Sequence, residues 1–223
     1  MRVISGIIGL PVIVLLVWLG GWWLAGMMAV VAVLGQIEFY RATSPKIGRI
    51  LGVTTGFFYV SVLLSAVVFT REWLGIFYVW LIFLAAWGCD TGAYFAGKAF
   101  GRRKLAPKLS PNKTVAGAVG GIVAAGVLVT VYVLVWQLLV ENGLSEALRA
   151  NSYEWPPLYV FPIFGAIAAV LGQAGDLSAS AIKRKVGIKD FGGSIPGHGG
   201  ILDRFDSILF VAPFALVFFL LIW

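Results

Sequence analysis

The segment SIPGHGGILDRFDSILFVAPFALVFFLLIW, residues 194–223, sets a glycine-flanked histidine, two aspartates and an arginine directly against an uncharged apolar run. Apolar runs approaching twenty residues recur along the whole chain, which is 60% hydrophobic and 12% charged over 223 residues. A water-soluble domain needs a larger polar shell. A closed transmembrane barrel would alternate apolar and polar residues, and these runs do not. The predicted class is an all-α polytopic membrane protein.

Seven spans are predicted, at 3–20, 22–40, 51–70, 73–96, 115–140, 157–175 and 207–223. The first is read as a retained helix rather than a cleaved leader, because no small-residue cleavage site follows it. Lys and Arg load alternate connections: Arg2, the loop with Arg41, Lys46 and Arg49, and the segments 98–113 and 183–204. Glu72 and the loop with Glu141, Glu146, Arg149 and Glu154 fall on the other side. The positive-inside rule then puts the N-terminus in the cytoplasm and the C-terminus outside. The same rule accounts for the net charge of +7 without invoking nucleic acid. Cys89 is the single cysteine, so no intramolecular disulfide forms. Gly117, Gly120 and Gly121, and likewise Gly20 and Gly21, are read as close-packing positions between helices.

Five of the ten acidic and eleven of the seventeen basic residues lie in two segments, 90–113 and 176–206. Topology alone needs Lys and Arg there, not Asp at the ends of spans. Asp90 lies inside the fourth apolar run, and helical spacing places it on one face with Tyr94 and Lys98. That stripe is either a structural ion pair or the wall of a polar cavity open to the cytoplasm. Asp176, Ser180, Lys183 and Arg184 form a second stripe at i, i+4, i+7 and i+8. Asp203 and Asp206, three apart, either cap the last span or hold a hard cation such as Mg²⁺. His198 lacks a second histidine for a zinc site and suits phosphate binding or loop ordering. In KLSPNKT, residues 108–114, Ser110-Pro111 is read as a turn, and Lys113-Thr114 as the start of a helix suited to an anion. Carboxylates for a cation, many cations for phosphates and a location at the membrane surface together point to phosphoryl or nucleotidyl transfer on a lipid.

SAIKRKVGIKDFGGSIPGHGGILDRFD, residues 180–206, resembles the signature of the phosphatidate cytidylyltransferases. Ser180, Lys183, Arg184, Lys189, Asp190, Pro196, Gly197, His198, Gly199, Gly200, Asp203, Arg204 and Asp206 match it. CDTGAYFAGKAFGRRKLAPKLSPNKT, residues 89–114, is similar to a second family stretch. Ala116 and Ala179 depart from the acidic or amide residues often found at those places, and the N-terminal half is short for the family. The resemblance implies one integral-membrane catalytic domain over 1–223 that makes CDP-diacylglycerol and pyrophosphate from CTP and phosphatidate. It implies Mg²⁺ on Asp176, Asp203 and Asp206, with Asp90 as a further candidate. Asp203, Asp206, Lys183, Arg184 and His198 would be catalytic. Lys98, Lys113, Ser180, Lys189, Arg204, Gly199, Gly200 and Tyr94 would bind substrate. The implied setting is a bacterial-type inner membrane with the site facing the cytoplasm; a second, monovalent cation and a homodimer stay open. Two rivals remain: a CTP-dependent kinase of a lipid alcohol such as a polyprenol or phytol, and an ion-coupled transporter using the buried aspartates.

Overall fold

The computed structural model describes residues 2–142, 156–194 and 199–222. In chain order the elements are α1 (Arg2–Leu19), α2 (Gly21–Ile47), α3 (Arg49–Gly56), a π-helical turn (Phe57–Val62), α4 (Leu63–Trp73), α5 (Ile76–Phe100), β1 (Lys104–Ala106), β2 (Ser110–Thr114), α6 (Val115–Glu141), α7 (Val160–Val186), the single turn α8 (Leu202–Phe205) and α9 (Ile208–Ile222). Among the described residues five helical segments are long and apolar enough to cross a membrane: 21–47, 49–73, 76–100, 115–141 and 160–186. The 18-residue α1 and the 15-residue α9 occupy the other two apolar runs. The protein is therefore a largely helical membrane protein.

Two expectations need correction. The helical class stands, with one short addition: β1 and β2 form an antiparallel hairpin with Lys104 opposite Thr114 and Ala106 opposite Ser110. Its turn falls at 107–109, closed by Leu109 N–H donating to the Ala106 carbonyl at 3.1 Å. Ser110 and Pro111 thus belong to a strand, not a turn. Pro107 supplies the fixed φ of the turn, and a two-stranded sheet tolerates Pro111, which has no N–H to give. Gly20 and Gly21 are also not a packing seam. They take φ values of 62° and 48° and make the reversal between α1 and α2. The Gly21 N–H donates to Glu72 Oε1 at 3.0 Å, which ties that reversal to the end of α4.

The most extensive helix packing is between α5 and α6. Small residues allow it. A Cβ added at Gly92 would overlap that of Ala124, and one at Gly120 would overlap that of Ala96. One at Gly121 would lie 2.7 Å from the Cys89 carbonyl oxygen. Between two lipid-bathed helices the attraction comes from such contact rather than from water exclusion. The opposite face of α6 exposes Val119, Val123, Val127 and Val131 at helical spacing, as a lipid-facing surface would.

The bundle is polarised along its length. Phe77, Tyr132, Trp136, Phe161, Phe164 and Phe219 form a dense aromatic cluster. They come from the first halves of α5 and α7, the last half of α6 and the end of α9. Most of the site's charged residues lie toward the other end: Asp90 and Lys98 in the second half of α5, Lys104, Lys108 and Lys113 in the hairpin before α6, Asp176, Lys183, Arg184 and Lys185 in the second half of α7, and Asp203, Arg204 and Asp206 just before α9. A single substitution tests the seam. Gly120→Leu should lower stability by about 1–3 kcal/mol through overpacking, read as a lower unfolding midpoint in detergent. An unchanged midpoint would mean that α5 and α6 do not pack this tightly.

Candidate active site

A cavity of about 530 Å³ opens at the charged end, between α5, α6, the hairpin and α7. Asp90, Tyr94 and Lys98 line it from α5, Lys104 from β1, Lys113 from β2 and Gln173 from α7. The helical stripe of Asp90, Tyr94 and Lys98 therefore faces one space, with Lys98 Nζ 6.0 Å from the centre of the Tyr94 ring. The Gln173 amide donates to the Ala118 carbonyl at 3.0 Å and to Cys89 Sγ at 3.3 Å, fixing α7 to both walls. Thr114 caps α6 by accepting the Gly117 N–H at 3.0 Å, so one of the free amides expected to serve an anion is already used.

Beside this cavity Asp176 forms an ion pair with Lys113 and accepts the Ser180 hydroxyl at 3.5 Å. Asp90 lies within electrostatic reach of both Asp176 and Lys113. Asp206 joins them because α7 has a glycine where the chain enters α9. A Cβ at Gly175 would sit 2.5 Å from the Asp206 carbonyl oxygen. Asp206 lies between α8 and α9, outside the apolar helices. Burial, and secondly the neighbouring Asp176, push its carboxyl up to about 7. Tyr59, on the π-helical turn, reaches the same place. Its hydroxyl is 3.3 Å from Ser178 Oγ, which in turn donates to the Gly175 carbonyl at 2.7 Å. Nothing in the apolar run around Tyr59 marks it from sequence.

Asp203 has a different setting. Its Oδ1 takes the Lys183 ammonium at 2.6 Å, and its Oδ2 takes the N–H groups of Phe191 at 2.9 Å and Gly200 at 3.1 Å. Lys183 also stands 5.4 Å from the Phe191 ring centre. Both oxygens are thus occupied by protein donors. Among the described residues no three His, Cys, Asp or Glu side chains gather as a metal cluster. The carboxylates expected to share one cation divide into Asp90, Asp176 and Asp206 near the cavity and Asp203 within the loop. The reason lies in what Asp203 binds: Lys183 and the two loop amides take both its oxygens, although the backbone stays helical through Asp206 (φ −56°, ψ −40°).

Glu38 also belongs here. It is a buried carboxylate of α2 that accepts the Ser194 hydroxyl at 2.5 Å and the N–H groups of Ile201 and Leu202 at 3.1 and 3.0 Å. As the single carboxylate of the run 22–40, it carried a legible signal. Arg184 binds backbone, donating to the Leu109 and Ile188 carbonyls at 3.4 and 3.2 Å. Lys189, Asp190 and Arg204 are exposed. Gly199 takes a φ of 84°, and Gly200 is buried against Glu38. His198, with Pro196 and Gly197, lies outside the described residues, as does the acidic loop from 143 to 155.

Asp176 and Asp206 are the carboxylates an added cation would suit, since they crowd each other beside the cavity and neither is tied to the loop amides that hold Asp203. Asp203 and Asp206 should therefore respond differently to amidation. Asp203→Asn leaves Lys183 buried without its counter-charge and should destabilise the fold by about 3–5 kcal/mol. For Asp206 the folded value near 7 exceeds the ordinary value near 4. Its stabilising contribution is complete below about pH 4 and is lost as pH rises toward 7. Chelator-treated wild type should show this fall in its unfolding midpoint, and Asp206→Asn should flatten it. Equal destabilisation by both substitutions would contradict the division.

A family model described as the Cytidylyltransferase family matches residues 42–222. The phosphatidate cytidylyltransferase of Bacillus subtilis (strain 168) is 47% identical over 147 residues, covering 66% of this chain and 48% of the relative. That of Staphylococcus saprophyticus is 42% identical over 139 residues, 62% of this chain and 47% of the relative. That of Rickettsia bellii is 35% identical over 226 residues, 99% of this chain and 89% of the relative. The chain thus spans about half the length of the first two relatives and most of the third. Over four-fifths of its length, including every described residue of the cavity and the loop, the chain belongs to the cytidylyltransferase family.

Proposed function

We propose that the chain transfers CMP from CTP to phosphatidate, forming CDP-diacylglycerol and pyrophosphate at the cytoplasmic face of a bacterial inner membrane. The observation that carries the reading is the lysine-lined cavity beside Asp176 and Asp206, at the polar end of an otherwise apolar bundle. The phosphatidate cytidylyltransferase names of the relatives support it. Lys98, Lys104 and Lys113 offer the positive charge a triphosphate needs. Phe95 of α5 and Val119 and Val123 of α6 are exposed apolar side chains on the two helices that build the cavity, where acyl chains can lie while the headgroup enters. A two-chain lipid stays in the bilayer because burial contributes about 0.8 kcal/mol per CH₂.

In this reading a phosphatidate oxygen attacks the α-phosphorus of CTP. The bond from that phosphorus to the bridging oxygen breaks, and pyrophosphate leaves. The second ionisation of a phosphate monoester has a pKa of about 6, so the attacking oxygen needs no strong base. Asp176 and Asp206 would hold Mg²⁺, an ion that commonly takes one or two carboxylates together with substrate phosphates. An ion held by these two carboxylates would supply positive charge to offset that of the leaving pyrophosphate. Lys113, already paired with Asp176, stands where it can orient the same phosphates. Asp203 and Lys183 serve the reaction by holding the loop rather than by touching the metal. The gathering of charge at one end of the helices favours this over an ion-coupled transporter, which needs charge near mid-membrane on several helices.

The topology proposed with it has seven spans, α1 and α9 included, with the hairpin cytoplasmic and residues 143–155 outside. Reporter fusions that put 143–155 in the cytoplasm would overturn it. The reaction is tested with purified protein in detergent, CTP labelled in the α-phosphate, phosphatidate and Mg²⁺. Labelled CDP-diacylglycerol and unlabelled pyrophosphate are expected, and labelled CDP from a parallel reaction that offers a polyprenol in place of phosphatidate would assign a kinase instead. Asp176→Asn and Asp206→Asn should each remain folded with turnover lower by about 100-fold or more, the scale of losing a main electrostatic stabiliser.

A further inference from the structure

We propose that Glu38 of α2 is a positioning residue that fixes the 190–206 loop against the active site from the opposite half of the chain. The family match begins at residue 42, so Glu38 lies outside it. The proposal rests on the CMP-transfer reading for its kinetic arm only.

Both carboxylate oxygens of Glu38 are used. Oε1 accepts from Ser194 and from the Ile201 N–H, and Oε2 accepts from the Leu202 N–H. These donors lie on the two arms of the loop, before residue 195 and after residue 198, so one side chain holds both. Its neighbour Phe39 stacks on Phe191 of the first arm, with ring centres 6.0 Å apart. The loop sequence is shaped to admit this carboxylate. A Cβ at Gly192 would overlap Glu38 Oε1, and the three atoms nearest to it all belong to Glu38. A Cβ at Gly200 would lie 2.5 Å from Glu38 Oε2. The approach of Glu38 accounts for Gly192, and at Gly200 it acts together with the backbone nitrogen of Gly192, 2.8 Å from an added Cβ.

The second arm leads into α8 and then to Asp206, whose place beside Asp176 depends on where the chain enters α9. An anchor at Ile201 and Leu202 therefore sets the carboxylate geometry without touching substrate. It does not touch the lysine-lined cavity. Loss of the anchor should lower kcat and leave the KM for CTP nearly unchanged, because the phosphate-binding lysines keep their places. A residue that served stability alone would lower the unfolding midpoint and leave the kcat of folded protein intact.

The decisive variant is Glu38→Gln, which keeps the shape but turns an amide NH₂ toward a backbone N–H that needs an acceptor. It is measured in the purified full chain in detergent, alongside Gly192→Ala and the double variant Gly192→Ala with Glu38→Ala. Glu38→Gln should lower kcat at least tenfold, with the KM for CTP within about threefold of wild type. The amides of 199–202 should exchange hydrogen at least tenfold faster, while peptides of α6 exchange as before. Gly192→Ala should repeat the pattern, and its effect should vanish in the Glu38→Ala background, since the crowded atoms are then gone. Wild-type kcat in folded Glu38→Gln, or unchanged exchange at 199–202, overturns the proposal. If Glu38→Gln does not fold, Gly192→Ala decides by the same two readouts. If wild type makes no CDP-diacylglycerol, the CMP-transfer reading fails, and the exchange measurements still judge the anchor.

Discussion

The buried pair of Lys183 and Asp203 is the contact on which the polar end of the molecule depends. The two side chains are 11% and 8% exposed, and a charge left alone in such a place is strongly destabilising. The pair therefore locks the end of α7 to the start of α8. Asp203 then spends its second oxygen on two loop amides. A consequence is a division among the carboxylates by setting. Glu38 and Asp203 are spent on backbone amides of the loop and act as scaffold. Asp176 is held by Lys113 and Ser180 beside the cavity, Asp206 accepts the Ser207 N–H, and the two crowd one another, a repulsion that an added cation would relieve.

The cavity depends on a second constraint, the closeness of α5 and α6. Where Gly92, Gly120 and Gly121 meet their partners, nothing larger than an alanine methyl or the Cys89 side chain separates the helices, and the close approach runs on through Gly97 and Gly101 to Gly117 and Thr114. On another face of the same stretch of α5, Asp90, Tyr94 and Lys98 line the cavity, which the hairpin closes at the side. The same two helices thus supply a tight seam and a polar chamber beside it. Asp90 is accessible from the chamber although it belongs to a membrane-spanning helix.

The apolar runs were readable because their lengths are set by bilayer thickness, and a helix stands at each of them. The stripes of Asp90, Tyr94 and Lys98 and of Asp176 and Ser180 were readable for the same reason: each lies inside one continuous helix, where spacing fixes the face. The separate settings of Asp203 and Asp206 were not, since helical spacing does not show that Lys183 and the distant Phe191 amide claim the Asp203 oxygens. The hairpin escaped notice because Ser110-Pro111 is ordinary turn chemistry, and only pairing with Lys104–Ala106 makes it a strand. Tyr59 gave no signal, because a π-helical turn changes which side of a helix a residue faces without changing composition. Glu38 did give one, a carboxylate alone in an apolar run, but its partners lie more than 150 positions away and no local pattern names them.

What joins these parts is the need to satisfy irregular backbone at a membrane boundary. Helices satisfy their own amides; loops and hairpins beside the apolar region do not, and bare groups there are costly. The structure meets that need with charged side chains from neighbouring helices. Arg184 of α7 binds the hairpin carbonyl of Leu109 and the carbonyl of Ile188. Asp203 binds the amides of Phe191 and Gly200, and Glu38 those of Ile201 and Leu202. The hairpin, the end of α7 and the two described loop arms are thereby one connected network, anchored on α2 and α7. Several of the charges that a sequence reading would hand to substrate are already committed to this network. Among the described residues, Lys98, Lys104 and Lys113 face the cavity, Lys113 paired with Asp176, and these are the groups on which the proposed triphosphate site draws.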